Sequence, residues 1–163
     1  HYVLITERSV DVTPFAVYLG QERFSYKERG VNLVGLNTNY IKFDDTKREE
    51  EQFEWLKMVL KKEKSSDVTL VFGHHPFFKE HIDEDDSSQI QKSKRKKYFD
   101  MFLEKGVDAV YAGHLHDSSE GEYMGIQMKT ATSAGYQLGE AEPSYRYIVI
   151  RDGAVVQDKM LGY

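Results

Sequence analysis

Four of the six histidines stand in two short segments that each follow an apolar run. The first segment is VFGHHPFF, residues 71–78, and the second is AVYAGHLHD, residues 109–117. Neutral imidazole nitrogens bind Zn, Fe and Mn, and neighbouring strand ends bring such side chains together. Because the chain has no cysteine, any metal must be held by histidine, carboxylate or amide groups. The two segments therefore predict a metal site.

Apolar runs predict the strands that position these histidines. Residues 31–38 and 67–72 are typical of buried strands, and residues 107–113 predict a third one. Near the end of the chain, alternating residues turn at Asp152-Gly153, which predicts an antiparallel hairpin. The order β-α-β-α-β with an antiparallel tail predicts an α/β layered sheet.

Two amphipathic helices are predicted between the strands. The first begins near Glu49, where Thr46 and Glu49 have the spacing of a capping box. The second spans residues 92–106, with Gly106 as its stop. Its basic start, residues 92–97, is interpreted as a solvated helix face rather than an anion site.

Composition limits the classes of protein. A chain of 163 residues with 40% apolar residues is long enough to bury the core of one domain. The net charge of −5 is spread along the chain and gives no sign of nucleic-acid binding. No apolar stretch approaches the roughly 20 residues of a membrane span.

The spacing of the histidines predicts how they face the site. In an extended segment His114 and His116 project to the same side, and Asp117 is placed to fix the tautomer of a histidine. Since adjacent residues point in opposite directions, His75 is expected to point away from His74. A single His-x-His is weak evidence of a metal site, but two Gly-His strand ends together favour one.

Three other polar features lie outside the two histidine segments. His81 and the acidic residues 83–86 are expected to lie in a solvated loop, since the loop lacks the pattern of an EF-hand. The segment GYQLG, residues 135–139, could reach the site with Tyr136 and Gln137 as polar contacts to substrate.

Together, VFGHHPFF and YAGHLHD resemble the last two motifs of the calcineurin-like metallophosphoesterases. Pro76 sets the register of the resemblance, because the family's ligand lies two residues before this proline, at His74. FSYKERGVNLVGLNTN resembles the preceding stretch of the Ser/Thr-phosphatase-like and purple-acid-phosphatase-like branches. The resemblance implies the C-terminal half of a four-layer α-β-β-α sandwich with an antiparallel C-terminal hairpin.

The resemblance also implies a dinuclear centre of Mn, Fe or Zn. His74 and His114 would hold the second metal and His116 the first. A bridging water or hydroxide would attack the phosphorus of a phosphomonoester or phosphodiester, while both metals stabilise the charge. The implied partner is a phosphorylated small molecule, nucleotide or phosphoprotein.

Three motifs of the family do not occur in these residues. The chain has no Asp-x-His, no Gly-Asp and no Gly-Asn, and these carry the remaining ligands. The distance of His1 from the later motifs fits the family histidine that protonates the leaving group. We therefore expect residues 1–163 to be the C-terminal part of one domain, inactive without its N-terminal half. The alternatives are a non-catalytic scaffold with a degenerate site and, last, a zinc hydrolase with three histidine ligands.

Overall fold

The computed structural model describes residues 22–60, 67–135, 137–138 and 140–162. The predicted roles of His1 and Tyr136 lie outside these residues. The described strands and helices, in chain order, are β1 (Phe24–Glu28), β2 (Val31–Gly35), α1 (Thr38–Lys42), α2 (Thr46–Val59), β3 (Val68–Phe72), α3 (Lys92–Lys105), β4 (Ala109–Ala112), β5 (Glu120–Tyr123), β6 (Ile126–Thr130), β7 (Ser144–Arg151) and β8 (Ala154–Gly162).

Six of the strands form one mixed sheet in the order β1-β2-β3-β4-β6-β5. β2, β3, β4 and β6 run parallel to one another, whereas β1 and β5 pair antiparallel at the two edges. The predicted strands in residues 31–38, 67–72 and 107–113 are its centre, which confirms the α/β class. No helix in the described ranges is long and apolar enough to cross a membrane.

Alternation along the central strands gives the sheet two apolar faces. One face packs against the helices through a row of residues in register on four strands: Val34, Val71, Val110 and Met128. The other face carries Val68, Leu70 and Tyr111, against which the β7–β8 hairpin packs with Ile148 and Ile150. Helices, six-stranded sheet and hairpin are thus three successive layers.

Tight two-residue turns join each antiparallel pair of neighbouring strands. Both residues of each turn have positive φ, as a type I′ hairpin turn requires. The predicted turn at Asp152-Gly153 is confirmed by φ angles of 52° and 75°. The other turns are Arg29-Gly30 and Met124-Gly125.

The helix boundaries are close to those predicted, with one correction. The cap of α2 is Asp45, whose side chain accepts from the Arg48 N–H, so Thr46 is already helical. Glu49 is buried and accepts from the Tyr98 hydroxyl at 3.2 Å rather than completing a capping box. At the end of α3, Gly106 is left-handed with φ 68°, as expected for a glycine stop.

Candidate metal centre

The two histidine segments emerge side by side at one edge of the sheet. β3 and β4 are parallel neighbours, so their carboxyl ends lie at the same edge, where ligands bind in sheets of this type. The β3 loop, residues 73–91, and the β4 loop, residues 113–119, begin there. A backbone hydrogen bond links the two loops, because the Gly113 N–H donates to the His74 carbonyl at 3.0 Å.

Three imidazole groups from the two loops converge. His74 Nε2 and His114 Nδ1 are 3.1 Å apart, and the ring centroids of His75 and His114 are 4.3 Å apart. One nitrogen from each of His74, His75 and His114 lies within 4.8 Å of the others. We call these three residues the histidine cluster.

The place of His75 in this cluster differs from the sequence expectation. Alternation of side chains holds for extended backbone, and the chain leaves the strand at Gly73. The His75 ring is 2% exposed and makes an edge contact with Phe43 at 5.6 Å. Its Nδ1 is buried and has no hydrogen-bond partner among the described residues. A buried imidazole nitrogen without a partner is an observation that an additional ligand would explain.

The β4 loop is not extended either, so the same-side argument for His114 and His116 does not apply to it. Both residues are left-handed, with φ angles of 68° and 53°, and the Leu115 N–H donates to the Gly113 carbonyl at 2.8 Å. Left-handed residues other than glycine are uncommon, and strain of this kind gathers at functional sites. His116 is half-buried, and its assignment as a metal ligand stays a prediction.

Burial keeps the cluster uncharged. It lowers the pKa of His74 to about 4, assisted by the charges of His114 and His116. It lowers the pKa of His75 to about 3, with His114 as the next cause. Burial and then the Lys42 ammonium lower the pKa of His114. At neutral pH the rings therefore keep lone pairs, which a metal requires.

The donor set fits a transition metal. Two nitrogens bound to one tetrahedral zinc at about 2.0–2.1 Å lie about 3.3 Å apart, close to the observed His74–His114 separation. Imidazole is a good ligand for Zn and Fe, and burial disfavours the protonated form of these rings. The residues present therefore fit the metal that their motifs imply.

The acidic stretch of the β3 loop is more ordered than a solvated charge run. The Glu84 carboxylate accepts from the backbone N–H groups of Lys79, Glu80 and His81, at distances of 2.7–3.0 Å. His81 itself is exposed, as expected. Glu84 thus shapes the loop that follows the first histidines.

The basic run at residues 92–97 is not a wholly solvated helix face, because Arg95 is buried. It is 1% exposed and donates to the carbonyls of Ile82, Glu84 and Ile90, all at 2.7–2.8 Å. Its remaining bond is to Gln89 Oε1 at 2.8 Å. The arginine side chain therefore fastens the β3 loop to α3.

Two further predicted site residues have local partners. The Asp117 carboxylate accepts from the Ser118 N–H at 2.8 Å. Gln137 Nε2 donates to the Ser133 carbonyl. Their predicted roles, as the partner of a histidine and as a contact to substrate, stay predictions.

Comparisons with known proteins agree with the motifs. The family model described as calcineurin-like phosphoesterase matches residues 6–118. The serine/threonine-protein phosphatase CPPED1 of Homo sapiens is 30% identical over 162 residues, which are 96% of this chain and 52% of that protein. CPPED1 of Bos taurus is 32% identical over 137 residues, 80% of this chain and 44% of that protein. The chain thus spans about half the length of these curated relatives.

One solved structure has the same fold over most of the chain. It is described as GAP50, the anchor in the inner membrane complex of Plasmodium, with a TM-score of 0.52 and 13% identity. The likeness covers 86% of this chain and 53% of that one. At this identity the likeness extends to the fold alone.

Proposed function

Because this chain belongs to the calcineurin-like phosphoesterase family, we propose that it is part of a metal-dependent phosphoesterase that acts on phosphorylated substrates. The observation that carries the proposal is the convergence of His74 and His114 from two family motifs at one sheet edge. Residues 1–163 would be the C-terminal part of one domain, completed by an N-terminal half.

The residues that would hold metal are those implied by the resemblance. His74, through Nε2, and His114, through Nδ1, would bind one ion of a dinuclear centre, and His116 would bind the other. Bound ions of Mn, Fe or Zn supply Lewis acidity toward phosphoryl oxygens and activate water. The carboxylate and amide ligands of such a centre would come from the N-terminal half.

The protein groups around the cluster have supporting tasks. Burial keeps the rings neutral, so that no proton has to leave before metal binds. His75 closes one side of the cluster and excludes water from it, being almost fully buried itself. We assign His1 the protonation of the leaving group, Tyr136 and Gln137 the substrate contacts, and Asp117 the orientation of a histidine.

The names of the relatives support a narrower substrate class. The curated relatives that match nearly the whole chain are named serine/threonine-protein phosphatases, so we propose phosphoserine and phosphothreonine monoesters as substrates. A generic aryl phosphate tests the chemistry, and a phosphothreonine peptide tests the substrate class.

The test uses the full natural polypeptide that contains this sequence. Metal-free protein is titrated with Mn, Fe or Zn and assayed with an aryl phosphate. We expect metal-dependent hydrolysis that His114→Ala reduces by at least about 100-fold, more than loss of an outer partner costs. The matched control is His81→Ala, which removes an exposed imidazole of the β3 loop outside the cluster.

Two results would contradict the proposal. Full activity of His114→Ala would show that the reaction does not depend on this cluster. A natural polypeptide that binds no metal and hydrolyses no phosphate would instead be a scaffold that keeps the fold without the chemistry.

A further inference from the structure

One hydroxyl holds the backbone of both histidines in the β3 loop. Thr38 Oγ1 accepts from the His74 N–H at 3.1 Å and from the His75 N–H at 2.9 Å. Thr38 is the first residue of α1 and is 2% exposed. Two successive amides therefore point at a single buried acceptor that precedes them by more than thirty residues.

Gly73 makes this close approach possible. A Cβ on Gly73 would lie 2.5 Å from Thr38 Cγ2, closer than carbon atoms approach without displacement. The methyl group of Thr38 thus fills the space beside the glycine, while its hydroxyl meets the next two amides. This close contact with Thr38 explains why glycine precedes the two histidines, which the motif alone does not show.

Thr38 is itself fixed by its neighbours. The Asn37 N–H donates to Gln52 Oε1 at 2.8 Å, and Gln52 Nε2 donates to the Asn37 carbonyl at 3.1 Å. The Asn37 side chain in turn accepts from the Asn39 N–H at 3.1 Å. Gln52 is fully buried on α2, so both backbone groups of Asn37, the residue before α1, are anchored to α2.

We propose that Thr38 is a positioning residue of the metal centre, a role that rests on the proposed function. By accepting both amides, its hydroxyl sets the direction in which the β3 loop leaves Gly73. That direction places His74 Nε2 beside His114 Nδ1. The Thr38 hydroxyl bonds the backbone N–H of the proposed ligand His74 and takes no part in the reaction itself.

A matched pair of variants separates the hydroxyl from the methyl group. Thr38→Val keeps the branched shape and removes the acceptor, whereas Thr38→Ser keeps the acceptor and removes the methyl group. In the full natural polypeptide, zinc affinity is measured by calorimetry. Exchange of the His74 and His75 amides is measured by NMR in the metal-free protein.

We expect Thr38→Val to weaken zinc binding by about 10- to 100-fold, the range for partners that orient ligands. The His74 and His75 amides should exchange faster in this variant, and Thr38→Ser should restore both measurements. If Thr38→Val does not fold, the same contrast between Thr38→Ser and Thr38→Ala decides the question.

Three results would overturn the proposal. Equal zinc affinity of wild type and Thr38→Val would remove the role of the hydroxyl while leaving the proposed function intact. A loss in Thr38→Ser as large as that in Thr38→Val would show that the retained hydroxyl does not suffice, so that packing at this position rather than the acceptor sets the effect. A wild-type protein that binds no zinc, manganese or iron would instead refute the proposed function, and this role with it.

Discussion

The β3 and β4 loops contribute histidines to the same cluster but hold those histidines in different ways. The β3 loop is held from outside, by the Thr38 hydroxyl at its start and by Arg95 farther along. The β4 loop is short, with left-handed residues at His114 and His116, and the Thr130 hydroxyl on β6 bonds the Ser119 N–H and the Asp117 carbonyl at its far end. At the histidines themselves, the β3 loop is therefore held by a distant side chain, whereas the β4 loop has a local left-handed conformation.

This difference indicates which substitutions would displace each half of the cluster. A substitution far along the chain can displace His74 by removing a partner of its loop. The position of His114 depends instead on residues that tolerate positive φ, which β-branched residues do not. Variants that remove one kind of support at a time distinguish the two, and variants of the proposed ligands come first.

The largest effect is expected from the adjacent histidines His74 and His75. His74→Ala should reduce the proposed metal-dependent activity of the full natural polypeptide by at least about 100-fold, whereas His75→Ala should reduce it about 10-fold. The reason is that His74 Nε2 directly faces His114 Nδ1, while His75 packs against the His114 ring. Rates and zinc affinities of both variants are compared, and a larger loss for His75→Ala would exchange the two roles.

Arg95 tests the outside support of the β3 loop. Arg95→Met should lower the free energy of unfolding by about 3 kcal/mol, because one buried and two part-buried carbonyls lose their donor. Urea unfolding measures the change, with exposed Lys96→Met on the same helix as the control. If both variants have the same stability, Arg95 does not hold the loop.

Sequence patterns predicted the parts that depend on local residues. Apolar runs located the central strands, Asp152-Gly153 located a hairpin, and Gly106 located the end of α3. The two Gly-His segments were likewise visible as motifs, since each follows its own strand. In every case the evidence lay within about one element of the residue concerned.

The contacts that position the site could not be predicted from the sequence, and the reason is physical. Thr38 and His75 are bonded across 37 positions, and nothing in the neighbourhood of either residue indicates the other. Arg95 and Glu84 lie in runs of like charge, where exposure is the usual outcome. Only the folded chain brings each of them to its backbone partners.

A third prediction tests the backbone of the β4 loop. His116→Val should be less stable than His116→Asn by about 1–2 kcal/mol, because a left-handed backbone strains a β-branched residue while asparagine adopts it readily. Thermal or urea unfolding measures the difference. The same pair at exposed Gln157 in β8 should show the opposite order, since strands favour valine. If the valine variant at position 116 were as stable as the asparagine variant, the loop would accommodate valine without strain.

The smallest effect is a pH dependence confined to the β3 loop. Burial acts to raise the pKa of Glu84, but bonds from the Lys79 and His81 N–H groups and the Gln89 amide outweigh it and lower the pKa to about 2. A lowered pKa means that the ionised carboxylate stabilises the fold. This contribution is complete above the ordinary value of 4.5 and is lost as the pH falls toward about 2.

Urea midpoints measured across this pH range should fall less steeply for Glu84→Gln than for wild type. Exposed Glu80→Gln makes the same charge change beside it and serves as the control. Amide exchange locates the effect: acid should release the Lys79 and His81 amides before that of Leu115, because the latter bonds to the Gly113 carbonyl. Simultaneous release would mean that the two loops open as one unit, and that the outside support of the β3 loop is not separable from the backbone of the β4 loop.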